Sequence, residues 1–233
     1  MARAKDKVVI GYVHPVEVAV GFHHSLLMLM LRDQATSRRV ANVLPRNASA
    51  NITNARNGIV RDFLESDADW LWMVDADMVF EPDTLDRLLD AAHDRSHPIV
   101  GGLCYGVHDN RLFPTLYGLS EHDGVPCVVR FDTFPKDQLF AVDATGAACV
   151  LVHRSVLERI GAERFNPAYP WFQETVLPGT EAQVVGEDVT FCFRARALGF
   201  PVHVHTGIHV GHQKTYVLTH DMYLQQIAAE GLT

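Results

Sequence analysis

The sequence predicts an α/β fold with a mostly parallel central sheet flanked by helices and a smaller β region beside it. Three observations carry that reading. Apolar, β-branched runs alternate with segments of helical period through the first half of the chain. The run WLWMV at residues 70–74 is unbroken, as in strands covered on both faces. Residues 112–145 then read as shorter strands and turns before helix and strand signals return.

The elements follow in order. Residues 8–13 (VVIGYV) are a buried strand stopped by His14-Pro15. Residues 22–36 form a helix whose apolar stripe is Leu26, Leu27, Met30 and Leu31. A second strand at 39–44 and a polar stretch at 45–52 lead into a helix at 53–65. The strand at 70–74 ends abruptly in Asp75-Ala76-Asp77. Glu81-Pro82-Asp83 opens the next helix, with Leu85, Leu88, Leu89 and Ala92 facing the core. Residues 99–105 are a strand, and 147–152 are again apolar. The segment 165–185, rich in Pro, Gly and aromatics, lacks periodicity and reads as a long functional loop able to move. A helix at 187–198 is closed by Gly199, with Pro201 beyond it; a strand follows at 202–210 and a last helix at 219–230.

With 233 residues, 48% of them hydrophobic and 21% charged, the chain is large enough to bury a sizeable core. Twenty Lys+Arg against 28 Asp+Glu leave a net charge of −8, which argues against non-specific nucleic-acid binding through a basic surface. Cys104, Cys127, Cys149 and Cys192 form no CxxC pair, so reduced thiols in a cytoplasmic protein are expected. The most apolar later window, residues 25–31, is far too short to span a bilayer, and no membrane segment is expected.

Four features carry chemistry. On an extended segment, residues two apart share a side, so Asp75 and Asp77 can face one Mg²⁺ or Mn²⁺ together with a diphosphate; the alternative is a solvated turn. Glu187 and Asp188 open a helix, where Asp188 is either a cap or a general base for an acceptor hydroxyl. In the strand HVHTGIHVGH, His203 and His205 alternate with Val202 and Val204 and read as structural. His209 and His212 flank the bend at Gly211, where an imidazole can complete a metal site. Arg56, in Asn54-Ala55-Arg56-Asn57-Gly58, can neutralise a phosphate or pair with a carboxylate. Trp171 and Phe172, in the segment before the helix at 187–198, read as anchors of their loop in the core.

These pieces in this order resemble a known family. NITNARNGIVRDFLESDADWLWMVDADMVFEPDTLDRLL is similar to the nucleotide-binding half of family-two glycosyltransferases of the GT-A fold. DATGAACVLVHRSVLERIG looks like their acceptor-side strand and helix, and GEDVTFCFRARALGFPVHVHTGIHVGH like their "ED" helix with its histidine-bearing strand. The resemblance spans residues 8–215 and implies one Rossmann-like GT-A domain over 1–233. Its nucleotide-sugar half is about 8–105, its acceptor and catalytic half about 106–215, and 216–233 is a C-terminal helix. Asp75 and Asp77 would hold Mn²⁺ or Mg²⁺, with His212 as third ligand and His209 as fallback. Asp188 would be the base of an inverting transfer. Tyr12, His14, Pro15, Arg56, Asp75, Ala76, Glu187 and Trp171 would contact the donor, a nucleotide-diphosphate sugar and first of all a UDP-sugar. The acceptor would be a saccharide, a small molecule or a modified DNA base. The first strand ends YVHP where the family's commonest pattern has a polar P-x-Y/N.

Two rival functions compete with this reading. A nucleotidyltransferase would carry a Gly-rich basic loop after the first strand, where this chain has GYVHPVEVAVGF. A non-catalytic sugar- or nucleotide-binding module would have shed the acids that DAD and ED retain.

Overall fold

The computed structural model describes residues 6–93, 95–108 and 111–215, together with residues 220, 224, 227 and 228. In chain order the elements begin with β1 (Val8–His14), α1 (Val20–Ala35), β2 (Val40–Asn47), α2 (Ile52–Leu64), β3 (Trp70–Asp75), β4 (Met78–Val79), α3 (Thr84–Ala92) and β5 (Ile99–Leu103). There follow β6 (Tyr105–His108), β7 (Arg111–Pro114), β8 (Leu116–His122), β9 (Val125–Arg130), β10 (Leu139–Val142), β11 (Ala144–Thr145) and β12 (Cys149–His153). Then come α4 (Arg154–Glu163), β13 (Thr175–Val176), β14 (Val184–Val185), α5 (Glu187–Ala197), β15 (Val202–His209) and β16 (Gly211–His212). The helix expected at 219–230 lies almost wholly outside the described residues.

Seven strands form the main sheet in the order β10-β15-β5-β12-β3-β1-β2. β1, β2, β3, β5 and β15 run one way; β12 and β10 oppose them. The mostly parallel sheet is therefore present, with an antiparallel strand at its centre. After β5 the chain builds the β6–β7 hairpin and the β8–β9 pair, enters the main sheet as its antiparallel edge strand β10, and passes through β11 to β12. No helix lies between β5 and β12, and β12 runs opposite to both its neighbours, β3 and β5.

Side-chain alternation divides the core between the two faces of the sheet. On β3, Leu71 and Met73 join the cluster under α2, α4 and α5, while Trp70, Trp72 and Val74 join the one under α1 and α3. β1 divides likewise, Val9 and Val13 against Val8 and Ile10. Gly11 lies directly beneath the Ile59 side chain of α2, where a β-carbon has no room.

Two expectations need correction. The buried face of α1 is Phe22, Ser25, Leu29 and Asp33, while Leu27 and Leu31 are 48% and 57% exposed. Ser25 and Asp33 are buried because they serve backbone donors of neighbouring elements. Ser25 Oγ accepts the Phe80 N–H at 3.0 Å, and the Asp33 carboxylate accepts those of Arg39 and Val40 at 2.8 and 3.2 Å. Of the expected stripe, Leu26 and Met30 do pack against the core, whereas Leu27 and Leu31 do not. The segment 165–185 is also no open loop. It carries the β13–β14 hairpin and is pinned from both sides. Asn57, fully buried on α2, donates to the Phe172 carbonyl at 2.8 Å and accepts the Trp171 N–H at 3.2 Å. Arg194 on α5 donates to the carbonyls of Tyr169 and Pro170 at 2.7 and 2.8 Å.

Candidate active site

The carboxyl ends of β1 and β3 open onto a cavity of about 680 Å³, the place where open α/β sheets bind ligands. Asp75, Ala76 and Asp77 line it, with His14, Pro15 and Lys214 among their neighbours. Backbone bonds hold this floor from four sides. The Asp75 N–H donates to Ala148, and that of Ala76 to Val13; the Ala76 and Asp77 carbonyls accept from Ala19 and Gln213.

Asp75 shares the β3 face of Leu71 and Met73, so it points toward α2 and α5. There Arg56 Nη2 donates to both its oxygens, at 2.9 and 3.1 Å, and Nη1 pairs with Glu187 Oε1. Arg56 is 3% exposed. Burial works against its charge, but Asp75, Glu187 and Asp188 outweigh that and raise its pKa. The Asp75 carboxyl is itself pushed up, burial prevailing over the neighbouring guanidinium. Arg56 therefore has both arms on carboxylates, and the expected contact with the nucleotide is not what the buried guanidinium makes.

Asp77 has a different setting. β3 ends at Asp75 and residues 76–77 are a turn, so the strand-alternation argument for a common side fails even though both acids line the cavity. The turn swings Asp77 to β16, which pairs with β4. His212 Nε2 lies 2.9 Å from Asp77 Oδ2, and Lys214 Nζ donates to the same oxygen at 3.0 Å. Burial raises the Asp77 pKa, but these two hydrogen bonds prevail and bring it below the usual range. The bond to Asp77 raises that of His212. His209, the fallback, is exposed.

Donor chemistry tests how far these residues fit a divalent cation. His212 Nδ1 is 2.8 Å from the Tyr105 carbonyl, which can only accept, so Nδ1 carries the hydrogen. Nε2 then faces Asp77 either with a second proton or with a lone pair, the arrangement of a metal-binding imidazole fixed by its other nitrogen. Asp77 and His212 fit such an ion. Asp75 lines the same cavity and takes one hydrogen bond from Arg56 on each oxygen. Among the described residues, no three His, Cys, Asp or Glu side chains could hold a metal together.

Asp188 sits in the first turn of α5, half-buried, with Oδ1 accepting the Val189 N–H at 2.7 Å. Its other oxygen faces Gly146, in the lead-in to β12. Burial pushes its pKa up against the opposing field of Arg56. It thus serves its helix and keeps one oxygen for other work.

The remaining site expectations divide. His14, Pro15 and Ala76 line the cavity. Tyr12 lies outside the lining and packs on Phe22, ring centroids 5.0 Å apart. Glu187 faces Arg56. Trp171 is a core anchor, 6% exposed, with Nε1 donating to the Leu157 carbonyl at 2.7 Å; Phe172 is stacked on Phe191. Lys214 and Asn57 were missed. An isolated lysine in a polar tail gives no signal, whereas Asn57 sat inside the ARNG motif beside the arginine that drew the attention.

Among the described residues, no helix is long and apolar enough to cross a membrane. Two solved structures share the architecture. A197 from STIV, 16% identical, aligns over 91% of this chain and 97% of its own with a TM-score of 0.53. GalNAc-T7, crystallised with UDP, GalNAc and Mn²⁺, is 11% identical with a TM-score of 0.57. The match covers 90% of this chain but only 43% of the GalNAc-T7 chain. At such identities the likeness is one of fold, here of the GT-A kind. No curated protein matches the chain significantly. The sequence profile described as Glycosyltransferase like family 2 matches residues 29–231, from within α1 onward, and to that family the chain belongs.

Proposed function

We propose that the protein is a metal-dependent, inverting glycosyltransferase that moves a sugar from a nucleoside diphosphate to an acceptor hydroxyl. The observation that carries this reading is the cavity at the ends of β1 and β3, lined by Asp75 and Asp77, with Asp77 paired to His212. The Arg56 ion pairs join Asp75 to the start of α5, where Asp188 lies half-buried outside the lining. GalNAc-T7, of similar fold, was crystallised with UDP and Mn²⁺, which favours a UDP-sugar and a divalent cation here.

Asp77 and His212 would hold the cation, which supplies positive charge to the diphosphate. Arg56 keeps Asp75 and Glu187 paired, fixing the end of β3 against the start of α5. Asp188, its pKa raised by burial, is the base. As the acceptor oxygen forms its bond to the anomeric carbon, Asp188 takes the hydroxyl proton and the nucleoside diphosphate leaves with the bonding electrons. His14 and Pro15 border the nucleoside, and the acceptor is a saccharide or small molecule.

The test is nucleoside diphosphate release from a panel of sugar nucleotides, with Mn²⁺, Mg²⁺ or EDTA, for the native protein and Asp188→Asn. Turnover is expected with one donor and to vanish in EDTA. Asp188→Asn should lower kcat about a hundred- to ten-thousand-fold at unchanged donor affinity and Tm. Full activity in EDTA would exclude the cation, and near-native turnover by the variant would make Asp188 a cap. The raised pKa places the acid limb above the usual carboxylate range: activity should fall as pH drops through it, since the base must be ionised.

A further inference from the structure

The charge of the cavity poses a problem for the ligand proposed to enter it. Glu17, Asp75 and Asp77 line it, and Lys214 is the one permanent cation among the described lining residues. A nucleoside diphosphate adds further negative charge, and like charges at close range are unfavourable. Arg56, behind Asp75, is buried with both arms on Asp75 and Glu187. His212 has one nitrogen on Tyr105 and the other on Asp77.

Lys214 is differently placed. Its ammonium carries three donors, and the contact it makes is to Asp77 Oδ2 at 3.0 Å. The side chain is 40% exposed, so the head has room to turn. Its backbone is well positioned. The preceding residue, Gln213, donates its N–H to the Asp77 carbonyl at 2.8 Å and accepts the Gly21 N–H on Oε1 at 3.0 Å. One residue earlier, His212 is paired with Met78 across β16 and β4. Lys214 is thus a flexible cation on a fixed base, tethered at the cavity rim to the acid proposed as a metal ligand.

We infer that Lys214 is a catalytic residue that binds the diphosphate of the donor and stabilises the charge gathering there as the glycosidic bond breaks. This rests on the donor-site reading of the cavity. When the bond between the anomeric carbon and the diphosphate oxygen cleaves, its electron pair stays on that oxygen, beside the ammonium, while Asp188 takes the acceptor proton. A cation fixed where charge grows stabilises the transition state more than the bound donor, so kcat as well as affinity depends on it.

Calorimetry on the full chain with saturating Mn²⁺ tests the assignment. The probes are UDP, GDP, CDP, ADP and dTDP, each beside its nucleoside, on the native protein, Lys214→Met and Lys214→Arg. The expected result is that one diphosphate binds the native protein and binds Lys214→Met roughly ten- to hundredfold more weakly. Its nucleoside should bind all three proteins equally, and Lys214→Arg should keep diphosphate affinity within about threefold of native. A Lys214→Met protein that binds the diphosphate within twofold of native would overturn the assignment and leave the donor site standing. An equal loss for diphosphate and nucleoside would also overturn it, the variant having disturbed the cavity instead of a phosphate contact. If no diphosphate binds the native protein, the donor-site reading fails, and this inference with it.

Discussion

Asp75 and Asp77 stand two residues apart in one short motif, yet they belong to two regions with opposite physics. Asp75 ends a buried strand and is closed in by Arg56 and Glu187, a clamp joining α2, β3 and α5. Asp77 lies past a turn, 38% exposed, and shares one oxygen between His212 and Lys214. The inner clamp centres on a guanidinium only 4% exposed and is tightly paired, although Asp75 keeps one side on the cavity. The outer rim is wet and has partners that can be exchanged. The difference teaches that spacing along a motif does not set the environment of its side chains; the place where the strand stops does.

Removing one partner should hurt the inner clamp most. Arg56→Met leaves the half-buried Asp75 and Glu187 without their cation. Breaking a fully buried pair costs about 3–5 kcal/mol, and the partial exposure of both acids sets that as the upper bound. Urea unfolding should show a loss up to that bound. A loss below about 1 kcal/mol would mean that water reaches the clamp and that the contrast with the rim is false.

Asn57 extends the comparison to the segment behind the clamp. It ties Phe172, whose ring lies 5.9 Å from the Arg56 guanidinium, to α2. Asn57→Ala leaves the Phe172 carbonyl and the Trp171 N–H unpaired, a cost of about 1–3 kcal/mol. Proteolysis within 165–185 should speed up in parallel. Unchanged cleavage would show that Arg194 suffices to hold the segment.

The smallest effect belongs to the rim. His212→Ala should change stability by less than about 1 kcal/mol, because the pair is partly solvated and screened. Its pH dependence is the sharper readout. His212 binds its proton more tightly folded than unfolded, so its contribution is complete below the unfolded imidazole value. It disappears as pH rises through the raised folded value. Asp77, shifted down, contributes above the ordinary carboxylate range and loses that only as pH falls through its lowered value. The stability difference between native protein and variant should therefore be largest at weakly acidic pH and shrink toward alkaline pH, measured by thermal unfolding without added metal. A difference that grows with pH would place a neutral imidazole, not a charged one, on Asp77.

Much of the fold was legible because burial and backbone hydrogen bonding repeat at short range. The run 70–74, the Leu85, Leu88, Leu89 and Ala92 stripe of α3, and the Gly199 stop of α5 are each readable from a few neighbouring residues. The stripe of α1 was legible only in part: Leu26 and Met30 pack on the core, but Ser25 and Asp33 are buried by donors on distant segments that composition cannot reveal. The Cys104, Cys149 and Cys192 thiols are buried and unbridged, in keeping with the cysteine spacing, and burial pushes Cys192 up to about 12.

The sequence by itself determined that this chain folds as an α/β protein, where its strands and helices lie, and which acids and histidines are candidates for chemistry. Each of these follows from local periodicity or from residue type. Tertiary structure alone decided the partners. It ran β12 against its neighbours, enclosed Arg56 between Asp75 and Glu187, and brought His212 and Lys214 to Asp77 across 135 and 137 residues. Those outcomes depend on which segments meet in space, and a carboxylate's proton affinity is set by what it meets and how much water remains, not by its neighbours in the chain.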